Sequence, residues 1–403
     1  MITIAAYPGL NPQGSIEMNR VSDMNVLYDA FRASMKSSAW KREPQRFEAD
    51  FLSEIVSLKD DLDDRTYTTS PRNVFVTHER GKARLIHGGR MRDRVVRHAL
   101  CDNILNPTFG RYIIFNNCAS QHGKGVDFAR KLFERDLHNF WLEHRTNDGY
   151  VCFVDFSKFY DNIRHDVVKD AVCKRVDEHT GWLFSSIIDT FRVDVSYMDE
   201  AEYSTCIDKK FNSIEYYESV PDHLKTGERF MAKSVDIGDQ ISQSIGVYFP
   251  TPIDNYITIV RGHRRAGRYM DDIYIIHHDL EYLKETLKGV YEQAGRLGLY
   301  INEKKTHICK LSSKFTYLQM RYQLTDTGKV IRRVKPETVT RERRKLKKYK
   351  KLLDNKEASY DNIKQSYKSW MGKYAPILSK KQRNNIKKLY YELFKEDPRW
   401  KKS

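Results

Sequence analysis

The sequence predicts an α+β fold in three consecutive parts, on three observations. Two short apolar runs, Val151-Cys152-Phe153-Val154 and Ile273-Tyr274-Ile275-Ile276, read as β-strands; the first ends at Asp155 and the second follows directly on Asp271-Asp272. Between Gly149 and about Arg333, strand-like and helix-like segments alternate. From Pro336 onward the composition turns sharply basic and helical.

Residues 1–150 are mixed and basic. Apolar residues recur at helical spacing from Asp23 to Met35 and from Phe47 to Leu62, which predicts helices there. Tyr67-Thr68-Thr69-Ser70-Pro71 is a turn signal, and Val74-Phe75-Val76-Thr77 after it reads as a strand. Lys82, Arg84, Arg90, Arg92, Arg94 and Arg97 follow as a dense basic array, with Gly88-Gly89 permitting a tight turn. In the middle part, residues 195–232 are rich in Asp, Glu, Tyr and Ser and read as a surface insertion rather than core. In the last part, residues 341–353 predict a helix with one basic face. Its apolar side is thin (Leu346, Tyr349, Leu353), so contact with a polyanion suits it better than a membrane surface. Trp370, Tyr374 and the pair Tyr390-Tyr391 suit either helix packing or a subunit interface, with packing favoured.

The bulk properties narrow the class. With 403 residues, 40% hydrophobic and 31% charged, the chain reads as a globular protein of more than one substructure. No run approaches the roughly 20 apolar residues of a membrane span. Met1-Ile2-Thr3-Ile4-Ala5-Ala6-Tyr7 is too short for a secretory segment and lacks a basic start, so a cytoplasmic location is expected. Six cysteines (Cys101, Cys118, Cys152, Cys173, Cys206, Cys309) show no paired spacing, which argues against zinc and disulfide frameworks. Seventy Lys and Arg against 54 Asp and Glu give a net charge of +16, a frequent footprint of nucleic-acid binding.

The chemistry centres on Tyr269-Met270-Asp271-Asp272. Adjacent carboxylates at a strand–turn–strand tip present one side chain to each face, and a third on a neighbouring strand, Asp155, can close a magnesium site. Hard oxygen ligands with few protein atoms are what Mg2+ prefers when phosphates and waters supply the rest. Two such ions, roughly 3.5–4 Å apart, suit a phosphoryl-transfer site. An Asp-Asp pair alone is common in turns; the company of Asp155 and the basic array tips the reading towards chemistry.

The order of Asp155-Phe156-x-x-Phe159-Tyr160, Ile237-Gly238-Asp239-Gln240-Ile241-Ser242-Gln243 and Tyr269-Met270-Asp271-Asp272 resembles that of reverse transcriptases. Leu297-Gly298-Leu299-Tyr300-Ile301-Asn302-Glu303-Lys304-Lys305-Thr306 is similar to the family's next segment, and Phe315-Thr316-Tyr317-Leu318 to its primer grip. Upstream, Lys82-Ala83-Arg84-Leu85-Ile86 and Asp93-Arg94-Val95-Val96 resemble the fingers motif, and Ser120-Gln121-x-Gly123-Lys124-Gly125 the segment before the palm. The likeness runs from about Tyr67 to Tyr322.

The resemblance implies a right-hand polymerase: fingers after an N-terminal extension within residues 1–150, a palm over 151–333 with its insertion near 195–232, and a basic helical thumb over 334–403. It implies that Asp155, Asp271 and Asp272 hold two Mg2+ ions (Mn2+ being the substitute). Lys82 and Arg84 would neutralise the incoming dNTP, Tyr160 would pack beneath its sugar and exclude a 2′-hydroxyl, and Ile237, Gly238 and Gln243 would lie against the nascent base pair. Lys305, with Lys304 as rival, would protonate pyrophosphate. Phe315, Leu318, Arg343, Arg344, Lys347 and Lys348 would contact primer and template. Ile237-Gly238 and Ser242-Gln243 stand where many members carry Gln-Gly and Ser-Pro, a variant closer to defence-associated and diversity-generating prokaryotic members. The chain ends after the thumb segment, so strand removal, splicing and target cleavage are expected from elsewhere. The reading is an RNA-directed DNA polymerase copying a structured non-coding RNA into a DNA product in antiviral defence. Alternatives are a diversity-generating role, template-independent or protein-primed synthesis, and a catalytically retired RNA-binding scaffold. Whether it forms a homo-oligomer or joins a partner protein stays open.

Overall fold

The computed structural model describes residues 21–396, apart from Ser37 and Arg80. The reading of Met1 to Tyr7 lies outside the described residues. The chain divides into two compact units: one made of the residues up to Gly125 with 153–274 and 284–307, the other of 126–152, 275–283 and 308–403. The fold mixes helices with small sheets, as an α+β reading requires.

In the first unit, Asp23 accepts from the backbone of Asn25 and Val26 and so starts the helix Met24–Met35, whose Leu27, Ala30 and Phe31 are buried. The single helix expected over 47–62 is two, Arg42–Ala49 and Phe51–Asp63, because Asp50 leaves helical geometry between them (φ −106°, ψ 25°). Strands β1 (Asn73–Glu79) and β2 (Lys82–Gly88) form an antiparallel hairpin in the register Thr77↔Arg84 and Phe75↔Ile86. Gly81 at its tip adopts φ +79°, a conformation that favours glycine. Opposed residues in an antiparallel pair share a face, so Lys82, Arg84 and Ile86 stand together, with Phe75 and Thr77 beside them.

The expected strands appear as β3 (Tyr150–Asp155) and β7 (Asp272–His277). Residues 195–232 do lie largely at the surface, and the helix Glu200–Asp208 buries no residue. They nevertheless enclose a small core of their own, Val195, Met198, Phe211 and Met231, closed by the antiparallel pair β4 (Val193–Asp194) and β5 (Phe230–Met231). With β6 (Ala266–Tyr269) and β8 (His307–Lys310), β3 and β7 make a four-stranded sheet in the order β6-β7-β3-β8. The ends of its two central strands that carry the acids, residues 153–155 and 272–274, belong to the first unit.

In the second unit, β9 (Phe315–Tyr317), β10 (Met320–Leu324) and β11 (Val330–Val334) form an antiparallel sheet in the order β11-β10-β9. Three helices follow, Pro336–Asp354, Tyr360–Tyr374 and Lys380–Phe394, the last begun by a capping box on Ser379 and Gln382. Their core is Leu346, Tyr367, Met371, Ile386 and Tyr390, with Trp370 packed partly against it. Tyr390 stacks on Tyr367 with ring centroids 4.1 Å apart, whereas Tyr391 is 54% exposed. Of that aromatic pair, one ring therefore packs and one faces solvent. Among the described residues no helix is long and apolar enough to cross a membrane.

Candidate active site

The acids sit where strands end. Asp155 closes β3, and its backbone is held on both sides: its carbonyl accepts from Asn302 N at 2.7 Å and its N–H reaches Thr306 Oγ1 at 3.3 Å. The turn between these two partners returns Lys305 to the site, where its Nζ lies 2.5 Å from Asp155 Oδ2. Lys304 is exposed on the same turn, and it is Lys305 that pairs with the acid. Geometry thus separates two lysines that are rivals in the sequence.

Asp271 and Asp272 follow a tight turn at Met270, which adopts φ +54°, a left-handed conformation costly for a side-chain-bearing residue. The turn is anchored by Arg268. This fully buried guanidinium donates through Nε and Nη2 to Asp254 at 2.7–3.0 Å, and further to the carbonyls of Gly246, Val247 and Met270. Its backbone pairs with residues 116–118: Arg268 N donates to Asn116 O and Cys118 N to Arg268 O, both at 3.1 Å. The segment from Ser120 that resembles the family thus adjoins the anchor of the acidic turn. In the sequence Arg268 stands out only as a basic residue before the acids; Asp254, fourteen residues away, gives no signal of being its partner.

The three carboxylates act on one another. Burial first, then the Asp155 charge, push the Asp271 carboxyl above its ordinary range, while Lys305 and Arg84 oppose the shift. Burial, then Asp271 and Asp155, push Asp272 up to about 7, opposed by Lys305 and Lys82. Both hairpin cations singled out in the sequence therefore bear on the acids, although Lys82 and Arg84 themselves are exposed. Among the described residues no three His, Cys, Asp or Glu side chains are gathered closely enough to hold a metal ion. The donor set still suits a hard divalent cation, since the charge of Asp155 raises the cost of ionising Asp271 and Asp272, and a cation would relieve that repulsion. What is present is an acidic cluster with Lys305 as counter-ion, not a closed cage.

Tyr160 stands beside this cluster. Its hydroxyl lies 3.9 Å from Met270 Sδ, and burial, then Asp271, push its pKa up to about 12, so it stays protonated. Gly246 makes the room: a Cβ there would lie 2.9 Å from the Tyr160 hydroxyl and 3.4 Å from Met270 Sδ. No sequence signal marks Gly246, a glycine inside a helix far along the chain from Tyr160. The residues after Tyr160 also tie down the insertion, for Ser213 Oγ donates to Asp161 at 2.8 Å and Asn162 exchanges two hydrogen bonds with the Phe211 backbone.

Ile237 is half-buried, and Gly238 and Gln243 are exposed. His87 N donates to Ile237 O at 3.2 Å, which seats this segment on β2. Not all of the basic array faces outward. Arg97 is only 3% exposed and its Nε donates to Asp239 at 2.8 Å, while Arg92 pairs with Asp61 and Arg94 donates to Ser38 and the Ser34 carbonyl. The reason is positional: the helix Met91–Leu100 carries these arginines to acceptors that the linear sequence keeps far away.

The primer and template candidates lie in the second unit. Phe315 is buried against Phe133, ring centroids 6.1 Å apart, so its ring supports the sheet instead of facing solvent. Leu318 is half-buried in the β9–β10 turn (φ +42°), where its carbonyl accepts from Arg130 Nε at 3.1 Å. Arg343, Arg344, Lys347 and Lys348 are all exposed on the helix Pro336–Asp354.

The family model for reverse transcriptase (RNA-dependent DNA polymerase) matches residues 76–322, more than half of the chain. The chain belongs to that family. It is an RNA-directed DNA polymerase, a nucleotidyltransferase whose RNA template, DNA product and dNTP substrates follow from that class. No curated protein matches the sequence.

Proposed function

We propose that the chain joins nucleotides at the cluster of Asp155, Asp271 and Asp272 by two-metal nucleotidyl transfer, copying a dedicated, structured non-coding RNA in defence against phage. The observation that carries the catalytic part is the electrostatic coupling of the three acids, with Lys305 on Asp155 and the β2 cations bearing on Asp271 and Asp272. Asp155, Asp271 and Asp272 would hold two Mg2+ ions, which when bound supply charge neutralisation for the reacting phosphate. The chain's own groups do the rest. Lys82 and Arg84 bind the triphosphate as exposed cations on one face of the hairpin. Tyr160, wedged between Gly246 and Met270, sets the space beneath the sugar and turns away a 2′-hydroxyl. Lys305, seated on Asp155, is the proton donor to the pyrophosphate leaving group. Ile237, Gly238 and Gln243 border the nascent base pair.

In this reading the hairpin and N-terminal helices are fingers, the four-stranded sheet is a palm, and the C-terminal helices are a thumb whose Arg343, Arg344, Lys347 and Lys348 follow the phosphate backbone without reading sequence. The turn at Leu318 touches the primer, with Phe315 as its support. The defence role is supported by the insertion with a core of its own, latched next to Tyr160, and by the Ile237-Gly238 variant. The double variant Asp271→Ala/Asp272→Ala tests the catalytic part: incorporation of labelled dNTP on an RNA template should vanish, and persisting synthesis would overturn it. Sequencing the nucleic acid that co-purifies tests the template; a DNA complementary to one bound RNA is expected, and DNA with no template counterpart would replace this reading with template-independent synthesis.

A further inference from the structure

Asp236 and Asp239 bracket Ile237-Gly238, and each is buried against an arginine from a different element. Arg72, just before β1, pairs with Asp236, donates to the carbonyl of Thr190 and lies 5.4 Å from the Phe191 ring centroid. Arg97, on the helix Met91–Leu100, holds Asp239 at 2.8 Å and donates to the Tyr67 hydroxyl at 3.0 Å, which in turn donates to Asp93 at 2.6 Å. Asp239 uses its other oxygen to cap the helix Gln240–Tyr248, accepting from Ile241 N at 2.9 Å. Between these two pairs the segment has no slack. Ile237 O accepts from His87 N, and Gly238 adopts φ +107° with so little clearance that a Cβ would lie 3.3 Å from Ile86 Cγ2. The His87 imidazole closes the group, its Nδ1 3.3 Å from Asp236.

Two buried ion pairs are poor devices for stability, because apolar residues of the same shape usually do as well. What they do provide is a unique register. The elements joined here are β2, which carries Lys82 and Arg84, and the segment that carries Ile237 and Gly238.

We infer that Arg72–Asp236 and Arg97–Asp239 form a two-point clamp whose four members are positioning residues, fixing the Ile237-Gly238 segment to the cationic hairpin so that both meet the nucleotide as one body. This rests on the proposed placement of that segment beside the nucleotide. None of the four belongs to the acidic cluster.

The test uses the full chain, dTTP and a poly(rA)·oligo(dT) template–primer. Arg72→Gln and Arg97→Gln should each raise KM for dTTP by ~10- to 100-fold, the scale expected when a reacting group is misplaced by about an ångström. Affinity for the template–primer alone should stay near that of the parent below the melting temperature, which should itself fall because each variant leaves a buried carboxylate without its partner, and Arg72→Lys should recover part of the loss. A melting temperature that falls while KM stays put would make the pairs merely structural and overturn the clamp. Arg72, whose side chain is 17% exposed, carries the test if Arg97→Gln does not fold. Gly238→Ala separates the two levels. If it raises KM and the arginine variants do not, only the clamp fails; if it leaves KM unchanged, the nucleotide-facing reading fails and the clamp with it.

Discussion

The acidic site and the C-terminal basic helix are both built from charge, but they handle it in opposite ways. Around Asp155, Asp271 and Asp272, buried charges lie in one another's fields, with Lys305 seated on Asp155 and Arg268 locked on Asp254. On Pro336–Asp354, Arg343, Arg344, Lys347 and Lys348 stand in solvent around a thin stripe anchored by Leu346. Inside a protein a charge is expensive unless matched, so each buried one specifies its neighbours; at the surface water does the matching and the charge stays available to a ligand. The first arrangement suits chemistry, which needs fixed geometry, and the second suits affinity for a polyanion whose sequence is irrelevant.

Substitutions can break this contrast, the most severe first. Asp155→Asn should lower nucleotide incorporation on the order of 10³-fold or more, as loss of a preorganised charge at a reacting centre does, while leaving folding intact by circular dichroism. Loss of activity through unfolding would instead make Asp155 a structural acid. Asp254→Ala leaves the Arg268 guanidinium buried without its partner and should cost about 3–5 kcal/mol in denaturant unfolding. A cost under about 1 kcal/mol, the range of an exposed pair such as Lys174–Asp170, would erase the distinction between the two regions. Gly246→Ala forces Tyr160 or Met270 to move and should cost about 1–3 kcal/mol by overpacking. It should also change the ratio of ribonucleotide to deoxynucleotide incorporation, which an unrelated packing defect would not.

The basic helix answers to gentler changes. Replacing Arg343, Arg344, Lys347 and Lys348 by Gln should flatten the dependence of template–primer affinity on salt, by about 0.7–0.9 in log–log slope for each phosphate no longer neutralised. The melting temperature should not move, and an unchanged slope would place the nucleic acid elsewhere. Glu342 is the smallest lever. It is the exception on that helix, a carboxyl only 4% exposed whose pKa burial raises despite the opposing charge of Lys345. A folded-state pKa above the unfolded one means its stability contribution is full below the unfolded value and is lost as pH rises through the folded one. Glu342→Gln should therefore stabilise the chain at neutral pH, with the gain disappearing once the pH falls below the ordinary glutamate range. A gain that persists in acid would trace to packing, not to charge.

Much is legible before any tertiary structure. The strands that carry Asp155 and Asp272 stand out because a buried strand reads as a short apolar run, and the basic helix because solvated lysines and arginines recur at helical spacing. The break at Asp50 is not legible, since the apolar spacing continues across it. The insertion over residues 195–232 reads as polar surface because its four core residues, Val195, Met198, Phe211 and Met231, are too scattered to show a period.

By itself the sequence determined the class of chemistry: ordered motifs and the acids within them are local features, and local features survive in one dimension. Only the tertiary structure decided which charges are partners. It set Lys305, and not Lys304, on Asp155, seated Arg97 on Asp239 across 142 positions, and cleared the space at Gly246 for Tyr160. Those choices are made by burial and close approach between residues distant in the chain, which no spacing rule encodes.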